Sequence, residues 1–260
     1  MIKPYLHYRT FGSGQQVIIA FHGFGQDSSF FAPLTEAFLQ HTIYGIDLFF
    51  HGSHWPETSQ PLLRENWQQL MADFLTHQHI NRFDLIGFSM GGRIALVTYE
   101  LFAPQIDRLW LLAPDGVKPN AWYRVATRNR LLHSLFRYIT AEDTNIFHHS
   151  IRTLEKRRLL HPMLAKLAKQ QMRTPALRKR VYDTWMLYGY LEPDLKAVSR
   201  LAKQYRPQIQ IATGAYDRVI RPHYMNKLTN LLGNLCTHRT YACGHQGLLS
   251  AWLHSQSQNG

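Results

Sequence analysis

The segment Gly87-Phe88-Ser89-Met90-Gly91-Gly92 constrains the fold more than any other part of this chain. It follows the apolar run Phe83 to Gly87 and precedes a stretch with helical spacing, Gly92 to Leu101. A sharp turn from a strand into a helix needs small residues at 87 and 91, because side chains there would collide. The segment therefore predicts a strand, a tight turn that presents Ser89, and a helix.

Other apolar runs predict further strands of one sheet: Val17 to Phe21, Thr42 to Asp47, Arg108 to Ala113 and Ile209 to Gly214. Stretches with helical spacing lie between them, among them Phe30 to Leu39 and Asn66 to Thr76. This alternation predicts an α/β fold, with a mostly parallel central sheet and helices on both faces. In such a sheet, functional residues gather at the carboxyl ends of the strands.

The positive charge of the chain is concentrated in its middle. The 260 residues carry a net charge of +12, and the segment from Gly116 to Arg206 has 19 Lys and Arg against 6 Asp and Glu. That segment lacks clear strands and is rich in Leu, Arg and aromatic residues. We therefore predict a core formed by residues 1–115 and 204–260, with a basic helical insertion over 116–203.

A serine hydroxyl needs a base within hydrogen-bonding distance to act as a nucleophile, and that base must itself be oriented. His245 is the candidate base, because it follows the stretch Thr240 to Ala242 in a loop between a final strand and a closing helix. Two aspartates follow core strands and could orient it, Asp217 and Asp115. Both satisfy the chain order Ser, Asp, His.

An oxyanion hole needs two backbone N–H donors. The N–H of Met90 is one candidate, because it lies at the start of the predicted helix, where the helix dipole favours negative charge. The N–H of Phe24 is the other, in the turn His22-Gly23-Phe24-Gly25 that follows the strand Val17 to Phe21.

Together these motifs resemble the α/β-hydrolase superfamily, in particular its serine members with a helical lid between core strands. The resemblance covers nearly the whole chain outside 116–203. It implies a catalytic triad of Ser89, Asp217 and His245, with Asp115 as the alternative acid and 116–203 as the lid. In many members of the family the loop after Asp47 has Pro-Gly where Phe49 and Phe50 stand here.

The resemblance also implies a reaction: hydrolysis of a carboxylic ester or thioester through an acyl-serine intermediate. Two alternatives stay open. One is a C–C bond hydrolase or lyase that uses the same triad, and the other is a non-catalytic binding module on the same fold.

No cofactor is expected, because the sequence has no phosphate-binding loop and no dinucleotide fingerprint. No metal site is expected either, because Asp, Glu and Cys do not recur near the histidines at ligand spacing. Two cysteines, the absence of a secretory signal at the N-terminus and the absence of a long apolar segment indicate a soluble, cytoplasmic protein with reduced thiols.

The partner expected from the family is a small-molecule or carrier-bound acyl substrate. The basic insertion leaves three interpretations open: an anionic substrate or acidic acyl carrier, contact with an anionic membrane surface, or a solvated face without a partner. Nucleic acid is not expected, because no nucleic-acid-binding module is present. The oligomeric state is not predicted.

Overall fold

A computed structural model of the chain describes residues 5–52, 61–118, 137–138, 140, 149, 152–153, 155–157 and 172–257. The chain divides into two compact units. The first comprises Met1–Pro56, Leu63–Pro119 and Leu191–Gly260, and the second comprises Glu57–Leu62 and Asn120–Tyr190. The predicted insertion 116–203 extends at both ends beyond the longer segment of the second unit, Asn120–Tyr190, and does not include its shorter segment. Six of its basic residues and four of its aromatic residues lie outside the described residues, and its role as a lid stays a prediction.

The first unit contains one seven-stranded sheet. Its strands are β1 (His7–Phe11), β2 (Gln16–Phe21), β3 (His41–Asp47), β4 (Phe83–Phe88), β5 (Ile106–Leu112), β6 (Gln208–Gly214) and β7 (Cys236–Tyr241). The spatial order is β1-β3-β2-β4-β5-β6-β7. Only β1 runs antiparallel to its neighbour, β3, and the other five pairings are parallel. The predicted fold class, a mostly parallel sheet flanked by helices, is confirmed.

Seven α-helices have described bounds: α1 (Leu34–Ala37), α2 (Arg64–His77), α3 (Met90–Phe102), α4 (Pro175–Tyr188), α5 (Leu195–Tyr205), α6 (Asn226–Leu232) and α7 (Leu248–Ser257). Single helical residues and short helical stretches are also described within 137–157. The prediction of one helix over Phe30 to Leu39 is wrong. A 3-10 turn, Ser28–Phe31, is followed by the short helix α1, and Pro33 stands between them. Proline lacks an N–H and cannot occupy a helix interior without breaking it.

Alternate residues of the central strands pack on opposite faces of the sheet, as the strand period of two requires. Ile18 of β2, Ile86 of β4 and Trp110 of β5 belong to a buried cluster with residues of α1 and α7. On the other face, the ring of Phe21 lies 5.6 Å from that of Trp67 on α2. The strands are thus packed on both faces, which fixes the positions of their carboxyl ends.

Asp84 is a buried carboxyl group on β4, and it is 5% exposed. Its Oδ2 lies 3.4 Å from Nε2 of His41 and 3.7 Å from a guanidinium nitrogen of Arg108. Burial raises the pKa of Asp84 to about 6; the charge of Arg108 opposes this shift and the charge of Asp107 adds to it. Because the pKa is higher in the folded than in the unfolded chain, this group stabilises the fold at low pH and loses that contribution as pH rises towards 6.

We expect the substitution Asp84→Asn to abolish the decrease in stability that ionisation of Asp84 causes as pH rises. Between about pH 4.5 and pH 8, the unfolding free energy of the variant should gain about 2 kcal/mol relative to wild type. Burial also lowers the pKa of His41, but this histidine is present in both proteins and largely cancels in the difference. Urea unfolding at a series of pH values measures the effect. Asp73→Asn, at a carboxylate on α2, is the control, and a flat difference for Asp84→Asn would contradict the prediction.

No helix of the described residues is both long and apolar enough to cross a membrane.

Candidate active site

Ser89 lies between the end of β4 and the start of α3, in a strained backbone conformation. Its φ is 54° and its ψ is −117°, which a residue with a side chain adopts only at a cost of about 1–3 kcal/mol. Its N–H donates to the carbonyl of Leu112, 2.9 Å away. Its carbonyl accepts from the N–H groups of Gly92 (2.9 Å) and Asp115 (2.8 Å). The surrounding backbone therefore holds the serine in this conformation.

The glycines around Ser89 are required by the close approach of other backbone segments. A Cβ on Gly91 would lie 1.9 Å from the carbonyl oxygen of Phe21 on β2. A Cβ on Gly87 would lie 2.5 Å from the carbonyl oxygen of Gly91, and one on Gly92 would lie 2.5 Å from the Cβ of Pro114. The predicted strand-turn-helix around Ser89 is present, and steric exclusion is the reason for its glycines.

The substitution Gly91→Ala is expected to lower the unfolding free energy by about 3 kcal/mol or more, because backbone atoms of β2 and not a flexible side chain stand in the way. Gly244→Ala is the matched control, since a Cβ there meets nothing within 4 Å. Urea unfolding of both variants measures the difference. Equal stability of the two variants would show that the turn can relax, contrary to this expectation.

The structure places His245 and Asp217 next to Ser89. The Nε2 of His245 lies 3.0 Å from Oγ of Ser89, and its Nδ1 lies 2.6 Å from Oδ2 of Asp217. A carboxylate accepts only, so Nδ1 carries the proton and Nε2 is free to accept from the serine hydroxyl. The side chain of Asp217 is fully buried and that of His245 is 14% exposed. The three residues form one chain of hydrogen bonds.

Two parallel strands bring Asp217 and His245 together. Asp217 follows β6 and His245 follows β7, its neighbour in the sheet, so both loops leave the same edge. The loops are joined by a hydrogen bond from the N–H of Tyr216 to the carbonyl of Cys243, 3.0 Å long. The second oxygen of Asp217, Oδ1, accepts from the N–H groups of Val219 (2.8 Å) and Ile220 (2.9 Å). These bonds fix the direction of the carboxylate that faces His245.

The two predicted oxyanion donors lie on neighbouring segments. Met90 is the first residue of α3, directly after Ser89. Phe24 lies in the turn after β2, and β2 pairs with β4 up to Phe21 and Gly87. The carboxyl ends of the two strands therefore lie side by side. The function of these N–H groups in holding an oxyanion stays a prediction.

His22 has a structural function in this turn that the sequence analysis missed. It is fully buried; its Nδ1 donates to the carbonyl of Gly23 (2.8 Å) and its Nε2 accepts from the N–H of Leu48 (3.1 Å). Burial lowers its pKa to about 4, so it is neutral near pH 7. His22 thereby ties the turn that carries Phe24 to the loop after β3. The His-Gly pair after a strand was the available signal, but the partner is 26 residues away.

Asp115, the alternative acid, is not in contact with His245. Its carboxylate forms an ion pair with Arg93 of α3 and accepts from the N–H of Gly116, 2.7 Å away. Its own N–H donates to the carbonyl of Ser89. The structure thus places the carboxylate of Asp217 beside His245, whereas Asp115 contacts Ser89 only through backbone atoms and does not contact the histidine.

The described part of the chain also contains candidate metal ligands and two thiols. It contains no cluster of three or more His, Cys, Asp or Glu residues that could hold a metal ion. Cys236 and Cys243 are free thiols. Burial, and then the charge of Asp217, raise the pKa of Cys243.

The sequence matches the family model of the alpha/beta hydrolase fold over residues 16–251. It is 28% identical over 120 residues to a "Putative esterase/lipase 2" of Mycoplasma pneumoniae, covering 45% of this chain and 43% of that protein. It is 29% identical over 108 residues to a pimeloyl-[acyl-carrier protein] methyl ester esterase of Shewanella woodyi, covering 42% of this chain and 39% of that protein. The matches thus span less than half the length of these two relatives.

Solved structures share the fold over almost the whole chain. A thermophilic esterase from Thermogutta terrifontis superposes with a TM-score of 0.67 at 18% identity, covering 98% of this chain and 90% of the other. The enol-lactonase from Burkholderia xenovorans superposes with a TM-score of 0.63 at 16% identity, covering 98% and 94%. At such low identity the likeness concerns the fold alone.

Proposed function

This chain belongs to the family of the α/β hydrolase fold, and from that premise we propose that it hydrolyses a carboxylic ester or thioester with Ser89 as nucleophile. The observation that carries the proposal is the chain of hydrogen bonds from Ser89 through His245 to Asp217. A serine paired with an oriented histidine can form a covalent acyl intermediate, which splits one difficult step into two easier ones.

In the first half of the reaction, Oγ of Ser89 attacks the carbonyl carbon of the substrate and its proton moves to Nε2 of His245. The carbonyl oxygen becomes an oxyanion, which the N–H groups of Phe24 and Met90 hold. The intermediate then expels the alcohol or thiol, which takes the proton from His245. Ser89 is left as an acyl ester.

In the second half, water replaces the leaving group. His245 removes a proton from the water, the hydroxide attacks the acyl carbon, and Oγ of Ser89 leaves with the proton that His245 returns. The products are a carboxylic acid and free enzyme, and no cofactor takes part. Asp217 holds the histidine in the required tautomer throughout, through the 2.6 Å contact with Nδ1.

The proposed substrate is a small-molecule or carrier-bound acyl compound. The positive charge of 116–203 favours an anionic substrate, because opposite charges attract. The Mycoplasma relative supports an esterase in general, and the Shewanella relative makes a carrier-bound methyl ester a specific candidate to test. Both matches cover less than half of those proteins, so they support the reaction class more than the identity of the acyl chain.

The test is a panel of p-nitrophenyl esters from acetyl to palmitoyl, an acyl-coenzyme A thioester and the methyl ester of an acyl carrier, with fluorophosphonate labelling in parallel. Labelling at Ser89 together with turnover would support the proposal, and the preferred chain length would size the acyl pocket. A folded protein that is labelled but turns over none of the panel would favour C–C bond cleavage. A folded protein that is inert in both assays would contradict the proposal in favour of a binding module.

A further inference from the structure

The end of β5 and the loop that follows it hold the backbone of Ser89 at two points. The carbonyl of Leu112, the last residue of β5, accepts from the N–H of Ser89 over 2.9 Å. Three residues further, the N–H of Asp115 donates to the carbonyl of Ser89 over 2.8 Å. The end of β5 and the loop after it thus bind both backbone polar groups of the residue that carries the nucleophile. The position of the Ser89 backbone in turn determines where its Oγ lies.

This loop is itself held in an unusual conformation. Ala113 has a φ of 43°, in the left-handed region that residues with a side chain rarely adopt, and its N–H donates to the carbonyl of Ala212 on β6 over 2.8 Å. Conformations of this kind persist only where the surroundings enforce them. The loop therefore needs contacts beyond its own backbone.

An ion pair between Arg93 and Asp115 supplies such a contact. Arg93 lies on α3, four residues after Ser89, and its side chain is 7% exposed, whereas that of Asp115 is 26% exposed. One carboxylate oxygen of Asp115 pairs with Nη2 of Arg93, and the other accepts from the N–H of Gly116. The stem of Arg93 also lies against the loop, since a Cβ on Gly116 would be 2.9 Å from Cγ of Arg93. The pair thus joins the first turns of α3 to the loop that grips Ser89.

We propose that Arg93 and Asp115 are positioning residues for the nucleophile. The ion pair holds the loop after β5 against α3, and the loop holds the strained backbone of Ser89 so that its Oγ stays within hydrogen-bonding distance of His245. The inference rests on the proposed function, because it concerns the efficiency of Ser89 as a nucleophile. It also gives Asp115 a function distinct from that of a triad acid.

The substitution Asp115→Asn tests the proposal. Asparagine keeps an oxygen acceptor for the N–H of Gly116 but loses the charge that pairs with Arg93. We expect kcat on a p-nitrophenyl ester and the rate of fluorophosphonate labelling to fall together by about 10- to 100-fold, as small misplacements of a reacting group do. KM should change less than about twofold, and the pH profile of kcat/KM should keep its shape.

The double variant Asp115→Asn, Arg93→Met separates positioning from stability. In the single variant, a buried guanidinium loses this counter-ion, which destabilises the fold. Removing the guanidinium as well should restore part of the unfolding free energy measured in urea, while kcat stays as low as in the single variant. Asp107→Asn is the matched control. Asp107 lies at the start of β5 and forms an exposed ion pair with Arg82. Removing its carboxylate should leave kcat within about twofold of wild type.

Three results would overturn the proposal. The first is a kcat of Asp115→Asn within twofold of wild type. The second is full recovery of kcat in the double variant, which would reduce the pair to a stability element. The third is a loss of about 10⁴-fold with an altered pH profile, which would make Asp115 a triad acid. If the wild type itself were neither labelled nor active, the proposed function would fail and this inference with it, an outcome that differs from the other three.

Discussion

The variant Ser89→Ala is expected to lose about 10⁶-fold in kcat towards the best ester of the panel, because the hydroxyl proposed to form the acyl intermediate is gone. The substitution keeps Cβ, so the strained backbone at φ 54° is affected little. The hydrogen bond that it removes is the 3.0 Å contact with His245. We therefore expect the unfolding free energy to change by less than about 1 kcal/mol.

Steady-state kinetics and fluorophosphonate labelling measure this loss. In the wild type, mass spectrometry of the digested protein should find the label on the peptide that contains Ser89. Ser250→Ala, at an exposed serine on α7, is the control and should keep full labelling and turnover. Undiminished labelling of Ser89→Ala would place the nucleophile elsewhere and remove the basis of the mechanism.

Much of the site could be foreseen because its signals are local in sequence. The glycines around Ser89 stand next to it, and the apolar runs that became β2, β4 and β6 each contain at least four consecutive buried residues. In a parallel sheet, strand ends share one edge, so residues far apart in sequence converge without further information. The contacts of His245 with Ser89 and Asp217 follow from that rule and from chain order.

Strand β1 could not be foreseen, because its residues lack the pattern of a buried strand. His7–Phe11 is half-buried or exposed throughout, and it pairs only with β3 at the end of the sheet. The strand is held by its backbone hydrogen bonds to β3, and the rings of Tyr8 and Phe11 add partly buried apolar contacts. The sequence therefore did not predict strand β1, because its residues are largely polar.

The loop after β3 shows how a departure from the family pattern acquires a physical meaning. Many relatives have Pro-Gly where this chain has Phe49 and Phe50, and Phe50 has a φ of 67°. Glycine adopts that conformation freely, whereas phenylalanine pays about 1–2 kcal/mol. The ring of Phe50 is 5% exposed, so burial of its apolar surface opposes this cost. Sequence alone could identify the substitution but not the backbone angle that makes it unusual.

The ion pair of Arg93 and Asp115 could not be predicted from the sequence either. Asp115 had the right position to be a triad acid. The observed contacts separate the two aspartates, because Asp217 contacts His245 whereas Asp115 pairs with Arg93. Both aspartates follow a core strand, so chain order cannot distinguish them. Side-chain direction decided between the two, and it depends on packing that no local pattern reports.

The variant Asp217→Asn is expected to lose about 10⁴-fold in kcat. The amide can donate to Nδ1 of His245, which then carries its proton on Nε2 and cannot accept from Ser89. The fold should be preserved, because asparagine retains an oxygen that can accept from the N–H groups of Val219 and Ile220. Kinetics on the preferred ester, with urea unfolding alongside, measure both effects. Asp107→Asn should behave like wild type, and a loss below about tenfold for Asp217→Asn would contradict its assignment.

Combining the substitutions tests whether the three residues act as one unit. If Asp217 works only by preparing His245 to take the proton of Ser89, it has nothing left to do once the hydroxyl is gone. The double variant Ser89→Ala, Asp217→Asn should then be no slower than Ser89→Ala alone, although the single losses would multiply for independent residues. A further loss of about tenfold or more in the double variant would mean that Asp217 also stabilises the transition state by a route that bypasses the serine.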